Sequence, residues 1–485
     1  MRVLGIFVAL AIFAAPACGD DSGASDAGRD AARDAPAGDT PGLDAPGLDA
    51  DLDAPGTDSG PPPGPLAWED CEGGGRMLNA GPDDYRDVLS TLEPGDTLQL
   101  APGDYARGLP ISVSGTEGAC IVIEGPTSGA RPRILGSDSF NLIAFRGASW
   151  VKVRHLDLDG MGMAGFGVAS QDADVPVHHI VIEDLDMQGF DANQQITGIS
   201  TKTPAWDWVI RGNVIRSAGT GLYLGNSDGR QPFIGGLIER NVVLNTIGYN
   251  MQIKHQVAEG REDLGIAEMP SEATTIIRYN VFVKAENGSS GGDARPNVLV
   301  GHFPLRGSGM NDRRLFYGNF FYENPNENLF QGEGHLAMYD NLFVSTTGGG
   351  INIQPHNDVP KEVHVFHNTV VTAGRGISIT GADAAFTQTT RWNVSCAGSP
   401  IRNDDVNEQN IEDASCAVLR NASGLPDADL DLRPVDAASV AVTIDEGFLA
   451  GFLDATLDFT GFPRTGSTAG AYLPDREAPT PSIRP

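Results

Sequence analysis

A short motif, written three times in the middle of the chain, constrains the fold more than any other feature. Gly221-Leu-Tyr-Leu-Gly-Asn226, Asn250-Met-Gln-Ile-Lys-His255 and Asn297-Val-Leu-Val-Gly-His302 each read small-Φ-x-Φ-x-polar, where Φ is apolar. Each follows an apolar run broken by asparagine: Val209-Ile-Arg-Gly-Asn213, Leu237-Ile-Glu-Arg-Asn241 and Ile276-Ile-Arg-Tyr-Asn280. Side chains alternate in and out along a strand, so each short strand offers one small apolar face. A unit that cannot bury this face alone must stack on copies of itself. The expected architecture is a solenoid.

The asparagine signature recurs at Asn213, Asn241, Asn280, Asn319, Asn341, Asn368 and Asn393, at intervals of 28, 39, 39, 22, 27 and 25 residues. His155 and Asp184 are read into the same slot of two earlier coils. A period in the twenties suits one three-stranded coil per repeat, giving about ten coils. Asparagine tolerates left-handed turns, so a stacked column of it reads as a structural ladder rather than as chemistry. The two intervals of 39 carry extra residues, and long loops on a rigid scaffold are where function usually sits.

Of the 485 residues, 64 are acidic and 33 basic, for a net charge of -31. That excess argues against nucleic acid as partner, because phosphate binding needs a basic patch. Lysine occurs only at 152, 202, 254, 284 and 361. Residues 1–17 read as a signal peptide, with an apolar run from Val3 to Ala15 too short to anchor in a bilayer. Segment 18–67 is rich in Asp, Ala, Gly and Pro; its 47 residues from Gly19 to Pro65 hold eleven Asp and no aromatic residue. Such a stretch is expected to be a disordered, self-repelling tether. Cys71 with Cys120 and Cys396 with Cys416 bracket the body, which in an exported protein suggests two disulfides, with four buried thiols as the alternative.

Two resemblances sharpen this picture. Ala15-Pro-Ala-Cys18 resembles a bacterial lipoprotein signal, although Ala15 stands where that motif usually has Leu; it implies lipidation of Cys18 and anchoring at an outer membrane or cell surface, with ordinary secretion as the alternative. A short amphipathic helix over Asp84 to Leu92, then Gly95-Asp-Thr-Leu-Gln-Leu-Ala-Pro-Gly-Asp-Tyr105 and Cys120-Ile-Val-Ile-Glu-Gly-Pro126, resembles the N-terminal cap and first rungs of pectate-lyase-like proteins. The likeness runs from about Asp84 to Trp392. It implies an all-β, single-stranded right-handed parallel β-helix, placed here over 68–400 with a capping segment and tail over 401–485. Asp458-Phe-Thr-Gly-Phe-Pro-Arg464 with Gly470-Ala-Tyr472 resembles the end segment of secreted β-helix proteins and is expected to protect the last coil's open edge.

Stacking the Φ-x-Φ strands of residues 198–203, 221–226, 250–255, 297–302, 328–333, 350–355 and 376–381 gives two outer columns. The fifth positions are Lys202, Gly225, Lys254, Gly301, Gly332 and Gln354; the sixth are Thr203, Asn226, His255, His302, Glu333 and Pro355. Rungs lie about 4.8 Å apart, so Lys254, His255, His302 and Glu333 are expected to be neighbours, with His335 and His356 just beyond. Lys and His at one corner suit β-elimination on a uronate, which needs a carboxylate neutralised, a proton removed and a leaving oxygen protonated. Lys254-His255 resembles the basic residue followed by His of alginate/chondroitin-type β-helix lyases; the second basic residue that family implies is absent at Gly225, with Lys202, Arg278 or Arg306 as substitutes. Tyr223, Asn226, Gln252, Gln354 and His356 complete the expected substrate contacts.

Other readings stay open. His255, His302 and Glu333 are acceptable transition-metal ligands, and the acidic run Glu259-Gly-Arg-Glu-Asp263 is a candidate for Ca²⁺. Polar strand ends also hydrogen-bond to loops with no further role. Glycoside hydrolysis needs two positioned carboxylates, and the paired Asp of the polygalacturonase-like branch do not occur on these columns. The reading carried forward is an exported monomer that binds or cleaves a polysaccharide. The rival is a non-catalytic surface module that binds glycan or protein through a stripe near Tyr223, Leu299 and Phe330.

Overall fold

The computed structural model describes Leu66 and residues 68–284 and 288–484. The signal peptide, Cys18 and nearly all of the 18–67 tether lie outside the described residues. Within the body each coil contributes three strands. First strands, such as Ala205–Arg211, Gly236–Glu239, Thr274–Arg278 and Arg313–Tyr317, stack in one sheet of 14 strands. Second strands (Val242–Leu244, Val281–Val283) and third strands (Thr220–Leu224, Met251–Ile253, Val298–Val300) belong to a second sheet of 21. The neighbours in both sheets run parallel, as stacked copies of one coil must. The chain is a right-handed parallel β-helix, the hand that crossovers between parallel strands adopt.

First strands are apolar on both faces, the mark of a parallel sheet covered on both sides. Ile210, Ile238, Ile277 and Phe316 point into the coil interior. Their alternates Val209, Leu237, Ile276 and Leu315 point outward into a second cluster. Trp68 from the N-terminal segment and Phe448, Phe452 and Tyr472 from the C-terminal segment cover that outer face. The C-terminal segment is therefore a flank cover and not the expected edge cap: Tyr339 donates to Leu453 O at 2.5 Å, and Trp392 Nε1 to Thr443 O at 2.9 Å. Coil-forming strands also continue past residue 400, through Val406–Glu408 and Ile411–Glu412.

The N-terminal helix forms over Tyr85–Leu89, shorter than expected. Tyr85 stacks edge-on against Tyr105 with ring centroids 4.9 Å apart and donates to Gly108 O, which seats the helix on the first rungs. Cys71 and Cys120 are bonded, with Cα atoms 5.8 Å apart. The second expected bridge is absent: Cys396 and Cys416 are free thiols joined by a hydrogen bond between their sulfurs.

The asparagine ladder exists, but its geometry differs from the expectation. The left-handed residue is the one before each asparagine: Gly212, Arg240, Tyr279, Gly318, Asp340, His367 and Trp392 all have φ between 52° and 65°. His155 and Asp184 occupy that left-handed slot, so Leu156 and Leu185 hold the ladder position in their coils. The asparagine amides do a different task. Asn241 Nδ2 donates to Asn280 Oδ1 at 2.9 Å and to Ile210 O at 2.8 Å, and its own Oδ1 accepts from Asn213 N and Nδ2. All four hydrogen-bonding sites of a buried amide are satisfied, which offsets the cost of about 1 kcal/mol or more for each strained neighbour.

Candidate functional site

Third strands keep the expected register from 198–203 through 297–302: Leu222 faces Met251, and Met251 faces Val298. The next coil slips by one residue. Val298 pairs with Phe330, and Gly332 pairs with Val300 on one side and Ile353 on the other. Leu329 and Phe330 are both fully buried in the interior cluster, and Phe330 holds the register position opposite Val298. Gly332 makes this fit: a Cβ there would lie 2.9 Å from the Phe330 ring. The fifth column therefore runs Lys202, Gly225, Lys254, Gly301, Glu333, Gln354, and Gly334 follows His302 in the sixth. Phe330 is fully buried and cannot belong to an exposed aromatic stripe.

His255 and His302 stack with ring centroids 5.7 Å apart. His302 Nδ1 lies 3.8 Å from Glu333 Oε2, with the two side chains only 12% and 3% exposed. Gly301 permits this approach, since a Cβ on it would meet His255 N at 2.3 Å. Burial lowers the His255 pKa, with Lys254 beside it adding to the effect. Burial, then the charge on His255, pulls His302 down to about 4. Burial pushes Glu333 up to about 7, against the pull of two backbone N–H donors, Asn357 and Asp358, on one carboxyl oxygen. Near neutral pH the two imidazoles are uncharged and the carboxyl is half protonated.

A lobe walls this corner. Residues 254–273, with the helix Ala258–Leu264, supply the extra length of the first long repeat, and residues 303–312 of the second pack against them. Arg261 ties them together: its guanidinium pairs with Asp312 out of solvent and donates to Gln256 Oε1 at 2.6 Å and to Pro270 O and Ser271 O at 3.0 Å. The acidic run 259–263 is thus helical, and Asp263 pairs with Arg230. It is not a Ca²⁺ loop. Among the described residues no three His, Cys, Asp or Glu side chains are arranged to hold a metal ion.

The open part of the face lies beside the corner. Lys202 Nζ and Lys254 Nζ sit 5.1 and 5.4 Å from the Tyr223 ring centroid, and Lys202 also lies 5.6 Å from that of Phe166. Gly225 stands between the two lysines in the fifth column, and Tyr223 is half-buried. The other three lysines are committed inward: Lys152 to Glu72, Lys284 to Gly248 O and Arg295 O, Lys361 to Met310 O. Gln252 is buried, Gln354 and His356 are exposed, and the charge of His356 reaches His255. Asn226 is spent on its own loop, donating to Gln231 Oε1 at 2.7 Å. Arg306 is exposed in the lobe.

Two expected site residues lie elsewhere. Arg278 belongs to the first-strand sheet, where it donates to Glu239 at 2.7 Å and to Tyr317 at 3.0 Å, under Asp454 of the C-terminal segment. It holds the flank cover. His335 is buried behind the corner, with its pKa driven to about 3 by desolvation and Lys361. Arg314, which no motif marked, lies against this corner from inside the coil: its Nη1 donates to Gly301 O and its guanidinium stacks 4.0 Å above the Phe303 ring.

No protein-family model and no curated relative matches the chain. Solved structures with a similar trace include pectate lyase Pel9A, at 12% identity over 85% of this chain and 97% of that one, TM-score 0.44. The PL6 alginate lyase AlyGC matches at 13% identity over 69% and 51%, TM-score 0.42. The GH136 lacto-N-biosidase from Eubacterium ramulus matches at 13% over 70% and 68%, TM-score 0.41. At these scores the likenesses carry no argument about chemistry.

Proposed function

We propose that the protein is exported, anchored through Cys18, and acts on an acidic polysaccharide held along the third-strand face, cleaving it by β-elimination. One observation carries the reading. In a chain of net charge -31, Lys202 and Lys254 stand over the same tyrosine ring. A cationic pair flanking an aromatic ring on an acidic body selects an anionic ligand with a ring to stack. In this reading Lys254 and Lys202 offset the uronate carboxylate, which acidifies the adjacent C–H. His255, kept neutral by burial, takes that proton. The leaving oxygen needs a proton in return, and Glu333, protonated up to about 7, and the Tyr223 phenol are the donors on this side.

The low exposure of His302 and Glu333 favours a second reading, a binding module whose buried polar corner only shapes the face. A panel of uronic-acid polysaccharides, with and without chelator, separates the two by the ultraviolet absorbance of an unsaturated product. Absorbance that Lys254→Ala or His255→Ala abolishes supports elimination. Lysine-dependent binding without absorbance establishes the module. Absence of both refutes an acidic glycan as ligand.

A further inference from the structure

Arg314 stands where the fold calls for an apolar residue. Its register partners are Thr275 on one side and Leu336, then Val363, on the other, and Phe316 two residues on packs in the interior core. It has no exposed surface. A buried arginine kept for stability is normally paired with a carboxylate, and even then a well-packed apolar residue is often as stable. Among the described residues Arg314 has no such pair. Asp312, the nearer candidate, is bound by Arg261. Its Nη1 reaches Gly301 O, while Nε and Nη2 have no protein partner.

These unpartnered donors lie at a corner with other unfinished groups. His302 Nδ1 is also buried without a hydrogen bond. The Arg314 charge acts on both Glu333 and His302. Gly301, whose carbonyl receives Arg314, sits in the fifth column between Lys254 and Glu333. We propose that Arg314 is a positioning residue of the candidate site, acting from inside the coil on Glu333 and His302 and never touching substrate. Its guanidinium fixes the Gly301 carbonyl, and with it the strand end bearing His302, while its charge works against burial and favours loss of the Glu333 proton. This rests on the proposed reading of the third-strand face.

The charged groups facing this corner are few. Glu333 meets Arg314 from the first strand of its own coil and Asp358 from the following loop. His302 meets His255, Asp358 and Arg314, and Arg314 meets Asp312 and Glu333. Removing the one interior cation should therefore move both titrations in the same direction. Burial pulls Arg314 itself down to about 9, so it remains charged at neutral pH.

The test uses full-length Arg314→Met and Arg314→Lys beside the wild type. Ring-proton NMR of labelled histidine, with His302 assigned through His302→Gln, reads the corner without a substrate. We expect Arg314→Met to raise the His302 titration by about one unit, and Arg314→Lys to restore it. On a glycan that the wild type cleaves or binds, the pH limb set by Glu333 should rise by a similar amount in Arg314→Met, with thermal stability equal or higher. An unmoved His302 titration overturns the proposal, whatever the glycan result. A loss of stability with unmoved pH limbs also overturns it, as a purely structural role. If the wild type acts on no glycan, the proposed function fails while the His302 shift still reports on Arg314.

Discussion

Glu333→Gln is the most informative single change in this protein, because it should make the molecule more stable while disabling the corner. The folded state raises the Glu333 pKa from 4.5 to about 7, with burial the main cause. The folded protein thus holds this proton where the unfolded chain has released it. A raised carboxyl pKa gives stability that is complete below the unfolded value and is lost as pH rises through the folded one. The window runs from 4.5 to about 7, and each unit is 1.36 kcal/mol, so the full loss is about 3 kcal/mol. Glutamine is neutral throughout, and its carbonyl oxygen can accept the same N–H groups of Asn357 and Asp358. The assay is thermal or urea unfolding of both proteins across about pH 4 to 8, read as the difference between them so that other titrating groups cancel. The variant should gain on the wild type steadily through the window and then level off, while losing glycan activity. A difference that stays flat, or a variant that falls behind at alkaline pH, would mean that Glu333 is ionised and stably paired in the folded state.

Four further outcomes follow from other parts of the molecule. Asn280→Leu should cost about 2–5 kcal/mol, because it strands Asn241 N and Nδ2 without their acceptor and leaves Asn319 Oδ1 with only the backbone N–H of residue 280, and limited proteolysis should cut within the central coils. Asp312→Ala leaves Arg261 charged and buried, a loss of about 3–5 kcal/mol concentrated in the lobe, so cleavage between 254 and 273 should appear before global unfolding. Cys120→Ser opens a loop of 49 residues and should lower stability by about 4 kcal/mol in the chain-entropy account, measured by denaturant midpoint. Acid should cost the wild type stability relative to His364→Gln below the ordinary histidine range, since His364, like His302 and His335, is held neutral by burial with a value of about 4; a difference between the two proteins that stays flat down to about pH 4 would contradict that burial.

The coil was readable from the residues because its rule is periodic and local. Alternation fixes which side chain points in, and repetition of that alternation fixes the stack, so Leu222, Met251 and Val298 fall into line without further information. The asparagine column was equally visible, but its reason was not. Whether Asn280 bends the backbone or only bridges coils depends on φ one residue earlier, at Tyr279, and no side-chain preference at Tyr279 announces a left-handed turn. The pairing of Cys71 with Cys120 and the contact of Cys396 with Cys416 were both inferable as proximity, yet proximity does not decide oxidation. Arg278 was misplaced for a different cause: its outward position on a first strand is real, but the chain's own ends cover that face, and coverage by remote segments leaves no trace in a local pattern.

The candidate site fails to be legible where the chain departs from its own rule. At Leu329-Phe330 two apolar residues in succession make the alternation ambiguous, and the choice between them moves Glu333 from one column to the next. At Arg313-Arg314-Leu-Phe the rule is unambiguous and the residue disobeys it: Arg314 shares the inward face with Phe316. That breach was available as a signal, since a charged residue in an inward slot opposes every local preference around it. Both departures fall on one coil, on its first strand Arg313–Tyr317 and at its third strand Phe330–Gly332, and both bring ionisable groups out of water at a cost that packing alone does not explain. A sequence optimised only to stack would have removed them. Their coincidence at one corner, next to the two outward lysines, is the physical reason to look for chemistry there and not along the regular coils.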